Sequence, residues 1–94
     1  MIEIRWHGRG GQGAKTVAQI LATALLKTGR HVQAFPEYGP ERSGAPMKAY
    51  DRVSDRPIRR HCAVTEPDVA VVLDATLLGE VDVTSGLGAD GLLL

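Results

Sequence analysis

The chain of 94 residues carries 11 basic and 11 acidic residues, and 44% of it is hydrophobic. That composition excludes a disordered or fibrous chain and fits one globular domain with a modest core; the zero net charge gives no general attraction to nucleic acid or to a membrane surface. A single cysteine, Cys62, excludes an internal disulfide and any cysteine-rich metal or iron–sulfur site held by this chain alone.

Ile2-Glu3-Ile4-Arg5-Trp6 alternates apolar and polar residues and predicts a first strand. No signal-peptide pattern accompanies it, and no apolar run reaches the length of a bilayer span, so a cytoplasmic location is expected. The glycine-rich stretch Gly8-Arg9-Gly10-Gly11-Gln12-Gly13 follows. From Ala14 to Thr28, Val17, Ile20, Leu21, Ala24 and Leu25 recur at helical spacing and predict a helix that lays this face on a sheet. Lys27 complements the helix dipole, and Gly29 marks the stop.

Val32 to Phe35 predicts a second strand, which completes a βαβ unit with a right-handed crossover. Pro36 to Pro46 holds three prolines and two glycines. It predicts a loop at the carboxyl end of that strand, the edge where open α/β sheets bind ligands. Met47 to Val53 alternates as a strand, Ser54 to Pro57 reads as a turn, and Ile58 to Val64 reads as the return strand of a hairpin. Val69 to Leu73 is an apolar run expected of a central strand, ended by Asp74. Thr76 to Leu78 reads as a helical turn, and Leu92 to Leu94 opens a last strand. The expected fold is α/β: a Rossmann-like βαβ unit with a glycine-rich turn, in a mixed sheet that includes an antiparallel hairpin. Residues 1–94 read as a single such domain, and the unfinished apolar end sets the expectation that it is truncated at the C-terminus.

Gly8, Gly10 and Gly13 satisfy the dinucleotide fingerprint G-x-G-x-x-G between a strand and a helix. Glycine there permits a tight turn and a close approach of backbone N–H groups to phosphate oxygens. The fingerprint also requires an acid at the end of the second strand. Here Glu37 comes late and beyond Pro36, which weakens a nicotinamide reading. The turn also comes near the nucleoside-triphosphate loop, but Lys15 and Thr16 are displaced by one position. One residue rotates a helical side chain by about 100°, which argues against a kinase or ATPase.

In the proline-rich loop, Arg42 has the fork geometry to pair with a phosphate or carboxylate; the bland alternative is an ion pair with Glu37 or Glu41. His7 stands directly before the turn, where it either donates to a ligand or packs. His61 and Cys62 form an isolated pair, and no metal is assigned. No serine or cysteine has a triad context. Arg42, Lys48, Arg52, Arg56, Arg59 and Arg60 crowd the middle, whereas from Cys62 onward there are acidic residues but no lysine or arginine. This asymmetry fits either an anionic ligand or charged partner, or a solvated surface with local ion pairs.

Two stretches together carry a resemblance. His7 to Gly13, with Gly39-Pro40-Glu41-Arg42-Ser43-Gly44-Ala45-Pro46, resembles the gamma component of 2-oxoacid:ferredoxin oxidoreductases, and among them the pyruvate group. Asp55-Arg56-Pro57-Ile58-Arg59 and Glu66-Pro67-Asp68-Val69 are similar too, so the resemblance covers essentially the whole chain. It implies a complex that oxidatively decarboxylates a 2-oxoacid with coenzyme A and passes electrons to ferredoxin. It also implies that thiamine diphosphate and iron–sulfur clusters lie in partner subunits of alpha, beta and delta type.

On this reading the chain is a non-catalytic, Rossmann-like component, an N-terminal fragment of a longer subunit. Its candidate cofactor contacts are Gly8, Gly10, Gly11, Gln12 and Gly13 with Glu41, Arg42, Ser43 and Gly44, and the ligand they would contact is coenzyme A. Lys15 departs from the family's small or apolar residues. The competing readings are a stand-alone NAD(P)- or FAD-binding module and a docking domain whose glycine turn contacts only protein.

Overall fold

A computed structural model describes residues 1–9, 13–37, 46–59, 64–79, 81–88 and 91–94. In chain order they form β1 (Ile2–Arg9), α1 (Ala14–Leu26), β2 (His31–Pro36), β3 (Pro46–Ser54), β4 (Val69–Val72), a 3-10 helix (Ala75–Gly79) and β5 (Leu92–Leu93). The strands make one mixed sheet in the order β2-β3-β1-β4-β5. β3 is antiparallel to both β1 and β2, while β4 is parallel to β1 and to β5. β1, β2, β4 and β5 therefore point one way and β3 the other. The antiparallel hairpin is β2 with β3, not 47–53 with 58–64. Of that second stretch, Ile58, Arg59 and Val64 lie outside any strand, and 60–63 lie outside the described residues.

The alternation in the sequence sorts the sheet into two unlike faces. Register places Ile2, Ile4, Trp6 and Gly8 beside Val53, Asp51, Ala49 and Met47 on one face. Glu3, Arg5 and His7 share the other face with Arg52, Tyr50 and Lys48, and β2 adds Gln33 and Phe35 to it. The chain moves from β1 to β2 in one direction and from β4 to β5 in the other. Right-handed crossovers in opposite directions lie on opposite faces. The 75–91 connection covers the polar face, since the Arg5 guanidinium donates to the Val83 carbonyl at 3.0 Å. Helix α1 accordingly covers the apolar one.

Ala18 and Ala22, one turn apart, are the buried residues of α1 from Thr16 onward; Val17, Leu21 and Leu25 flank them, and Ile20 is 63% exposed. The contact face is thus rotated from the one expected, because small side chains let the helix sit close to the sheet and push Ile20 and Ala24 outward. The helix stops at Leu26 with Gly29 just beyond, as expected. Much of the core is small: Ala18, Ala22, Ala49 and Ala70 are buried, and among the described residues Leu77 is the largest fully buried apolar side chain. Apolar burial is correspondingly modest, and the other face is held by polar contacts that must be satisfied within the protein.

Candidate functional site

β1 continues past Trp6 to Arg9, so Gly8 is a buried strand residue opposite Met47 rather than part of a turn. Arg9, the next motif residue, lies directly opposite Pro46. The glycine-rich stretch thus leaves the sheet beside the point where the proline-rich loop re-enters it, at the edge formed by the carboxyl ends of β1, β2 and β4. Gly10, Gly11 and Gln12 fall outside the described residues, as do Glu41, Arg42, Ser43 and Gly44. What the structure brings together are the flanks of both stretches.

Gly13 closes the first stretch with φ +82°, a left-handed conformation that strains any residue with a Cβ. Its carbonyl accepts the first helical bond, from Val17 N–H at 2.8 Å. No side chain caps α1, and its first turn holds no acid. Among the described residues no side chain accepts from the first backbone N–H groups of the helix, an arrangement that favours an anion.

Arg9 is turned away from such a role. Its guanidinium lies 3.3 Å from Asp74 Oδ2 and donates to Thr76 Oγ1 at 2.8 Å. Asp74 in turn accepts from the Thr76 hydroxyl and N–H, at 2.6 and 3.0 Å, and so caps the 3-10 helix. The end of β1 is thereby tied to the end of β4. Two residues of the basic middle, Arg52 and Lys48, are likewise engaged internally, whereas Arg56 and Arg59 are exposed. Arg52 is fully buried, paired with Glu3 at 2.8 Å, bonded to Gln33 at 2.9 Å and stacked 5.3 Å from the Phe35 ring centroid. The bland reading of local ion pairs holds for Arg52 and for Lys48.

Beside Gly8 the polar face carries a connected cluster. His7 stands opposite Lys48 across the β1–β3 pair. Lys48 O accepts from Glu37 N–H at 3.0 Å, its Nζ lies 3.9 Å from Glu37 Oε2, and the Tyr50 hydroxyl donates to the same oxygen at 3.1 Å. His7 is 1% exposed and its Nε2 accepts from Arg5 Nε at 2.8 Å. Since arginine can only donate, the proton of the neutral ring sits on Nδ1. Burial, with the charges of Arg5 and Lys48, pushes the His7 pKa down to about 4. Burial and the neighbouring Glu37 carboxylate push the Tyr50 hydroxyl up to about 12. His7, Glu37, Met47, Lys48, Leu77 and Val81 line a cavity of about 200 Å³.

Asp51 lies on the opposite, apolar face. It is fully buried, its Oδ2 accepts from Trp6 Nε1 at 2.9 Å, and its Oδ1 has no partner among the described residues. Burial lifts its pKa to about 6. Sequence reasoning passed over Asp51 and Tyr50, and named Lys48 only as one of the basic middle. For Asp51 a signal existed: it occupies the apolar phase of the alternation Met47, Ala49, Asp51, Val53. Among the described residues no group of three or more His, Cys, Asp or Glu side chains is placed to hold a metal ion, and no described helix is long and apolar enough to cross a membrane.

The chain is 58% identical over 94 residues to the Pyruvate/ketoisovalerate oxidoreductases common subunit gamma of Thermococcus kodakarensis, covering 100% of this chain and 51% of that protein. It is 59% identical over 92 residues to the Pyruvate synthase subunit PorC of Thermotoga maritima, covering 98% of this chain and 47% of that protein. The crystal structure of pyruvate oxidoreductase subunit PORC from Thermotoga maritima superposes with a TM-score of 0.82 at 53% identity, over 98% of this chain and 47% of that one. The gamma subunit of keto/oxoacid ferredoxin oxidoreductase from Geobacter sulfurreducens superposes with a TM-score of 0.76 at 28% identity, over 98% and 48% of the two chains. The chain thus spans about half the length of the curated relatives it matches. The sequence pattern of the pyruvate ferredoxin/flavodoxin oxidoreductase family extends over residues 3–94, and this chain belongs to that family.

Proposed function

We propose that the chain is the N-terminal part of the gamma component of a pyruvate-type 2-oxoacid:ferredoxin oxidoreductase, one Rossmann-like domain of a cytoplasmic complex. The complex would decarboxylate the 2-oxoacid oxidatively, form the acyl–coenzyme A and reduce ferredoxin. Thiamine diphosphate and the iron–sulfur clusters would belong to alpha-, beta- and delta-type partners, and this chain would supply contacts to coenzyme A. Gly10, Gly11, Gln12 and Gly13 would present backbone N–H groups to its phosphates, with Gly8 holding the end of β1 behind them and Glu41, Arg42, Ser43 and Gly44 closing from the second loop.

The observation that carries this reading is the pairing of Arg9 with Pro46, which supports joint use of the two stretches at one sheet edge. The uncapped start of α1 agrees with an anion there. The relatives named above are oxidoreductase subunits, which favours this reading over a stand-alone NAD(P)- or FAD-binding module. In the complex reconstituted with its partner subunits, Arg42→Ala is expected to raise the coenzyme A concentration needed for half-maximal turnover about tenfold. That corresponds to one charge-assisted contact of about 1.5 kcal/mol. An unchanged coenzyme A dependence would remove Arg42 from the site.

A further inference from the structure

The cavity beside His7 has a composition that the phosphate-binding reading does not use. The buried His7 ring offers a neutral N–H at Nδ1, and among the described residues nothing accepts from it. Its other nitrogen is held by Arg5, so the ring can present only a donor to the cavity. Glu37 is the acceptor on the far side, and one of its oxygens is shared by the Tyr50 hydroxyl and Lys48. Met47, Leu77 and Val81 supply apolar wall.

We propose that this cavity binds a secondary amide of a small ligand. The His7 Nδ1–H donates to the amide oxygen, Glu37 accepts from the amide N–H, and the alkyl flanks rest on Met47, Leu77 and Val81.

Charge and spacing both select an amide. Glu37 offsets Lys48, the Arg5 guanidinium is turned onto His7 Nε2 and the Val83 carbonyl, and the His7 ring is neutral, so the cavity presents an uncharged donor rather than a free cation. The donor sits on β1 and the acceptor just beyond β2, with β3 between them. Two strand spacings separate the backbones by about 9.5 Å. A single hydroxyl or water reaches one group only, whereas a trans amide points its acceptor and donor in opposite directions and spans both. About 200 Å³ is some six or seven waters at about 30 Å³ each, enough for an amide with short alkyl flanks and too little for a nucleotide. The identity of the ligand rests on the coenzyme A reading above: its pantetheine arm carries secondary amides between short methylene chains, and the cavity lies next to the proposed phosphate edge.

The test is a titration of the full chain carrying nitrogen-15-labelled histidine, followed at His7 Nδ1. Pantetheine and coenzyme A are each expected to shift that resonance saturably. Glu37→Ala, a change at an exposed position, is expected to weaken both about fivefold, and His7→Phe, followed by isothermal titration calorimetry because the reporter nitrogen is gone, to abolish pantetheine binding in a chain that still folds. Adenosine 3′,5′-bisphosphate binding while pantetheine leaves His7 unmoved would overturn the amide site and leave the coenzyme A reading standing. Pantetheine shifting His7 while coenzyme A and the bisphosphate fail to bind would support the amide site and count against the coenzyme A reading. If acetylglycine methylamide shifts His7 and pantetheine does not, the amide comes from protein backbone and the small-ligand proposal fails.

Discussion

Two buried side chains on opposite faces of the sheet set the pH response of the fold. Asp51 has its pKa lifted to about 6, above its unfolded value, so the folded state binds the extra proton. Its contribution to stability is full at low pH and is lost as pH rises from about 4 to 6. His7 has its pKa pushed down to about 4, below its unfolded value, so the unfolded state binds the extra proton. Its contribution is full above about 6.5 and is lost as pH falls toward 4. Each shift of two units or more corresponds to about 3 kcal/mol, and the two slopes oppose each other over the same window. Urea unfolding of the unaltered chain should therefore be nearly flat from these groups between about pH 4 and 6.

Asp51→Asn should break the balance. It removes a buried carboxylate with an orphaned oxygen and is expected to stabilise the chain at pH 7 by up to about 3 kcal/mol. It should also leave stability falling steeply below about pH 6 through His7 alone. A pH-independent stability for this variant would show that His7 is not held neutral. Trp6 reports the same event directly. It is the sole tryptophan and donates to Asp51 Oδ2, so its emission should titrate near pH 6 in the unaltered chain and not in Asp51→Asn.

At the scale of elements, two left-handed glycines make different demands. Gly13 at the start of α1 has φ +82° and open space where a Cβ would point. Gly13→Ala should cost only the backbone strain, about 1 kcal/mol, with the helix still formed by circular dichroism. Gly86 has φ +77°, and a Cβ there would lie 1.7 Å from the Thr65 carbonyl oxygen. Because the obstacle is backbone, Gly86→Ala must displace the loop that carries Val83 and Arg5's acceptor, and should lower the melting temperature more than Gly13→Ala does. Helix α1 shows why the sequence misplaced its contact face. Val17, Ile20, Leu21, Ala24 and Leu25 have the right period, yet periodicity counts hydrophobicity and not the separation between layers. Ala18 and Ala22 win because they let the backbone approach the sheet, a property no hydrophobic period records.

For these 94 residues taken by themselves, the notable surface is the β5 edge. Leu92, Leu93 and Leu94 are exposed, and among the described residues the outer side of β5 pairs with nothing. An apolar, open strand edge templates pairing with another chain. Sedimentation of the isolated 94-residue chain should show concentration-dependent self-association that Leu93→Lys reduces without lowering the melting temperature. Persistence of the association in Leu93→Lys would place it elsewhere, with the outward-facing Ile20 and Leu26 of α1 as the next surface to change.

The sequence by itself determined most of the local structure and the family. Alternation marked β1 and β3, the apolar run marked β4, helical spacing marked α1 and Gly29 its end, because each of these is set by neighbours within a few residues. The paired stretches at 7–13 and 39–46 carried the family resemblance without any coordinates. Tertiary structure alone decided which strands touch. β3 inserts between β1 and β2, which sets Arg9 against Pro46 and converts two separate stretches into one edge. It also decided which polar residues are buried. From the sequence Asp51 reads as an ordinary strand residue, Arg52 as one of a basic cluster and His7 as a residue before the turn that donates to a ligand or packs; long-range pairing encloses all three, and only enclosure removes the water that would otherwise fix their charge. The cavity at His7 follows from that enclosure, since its lining comes from β1, β3, the residue after β2 and the connection beyond β4, segments that no local pattern in the chain relates.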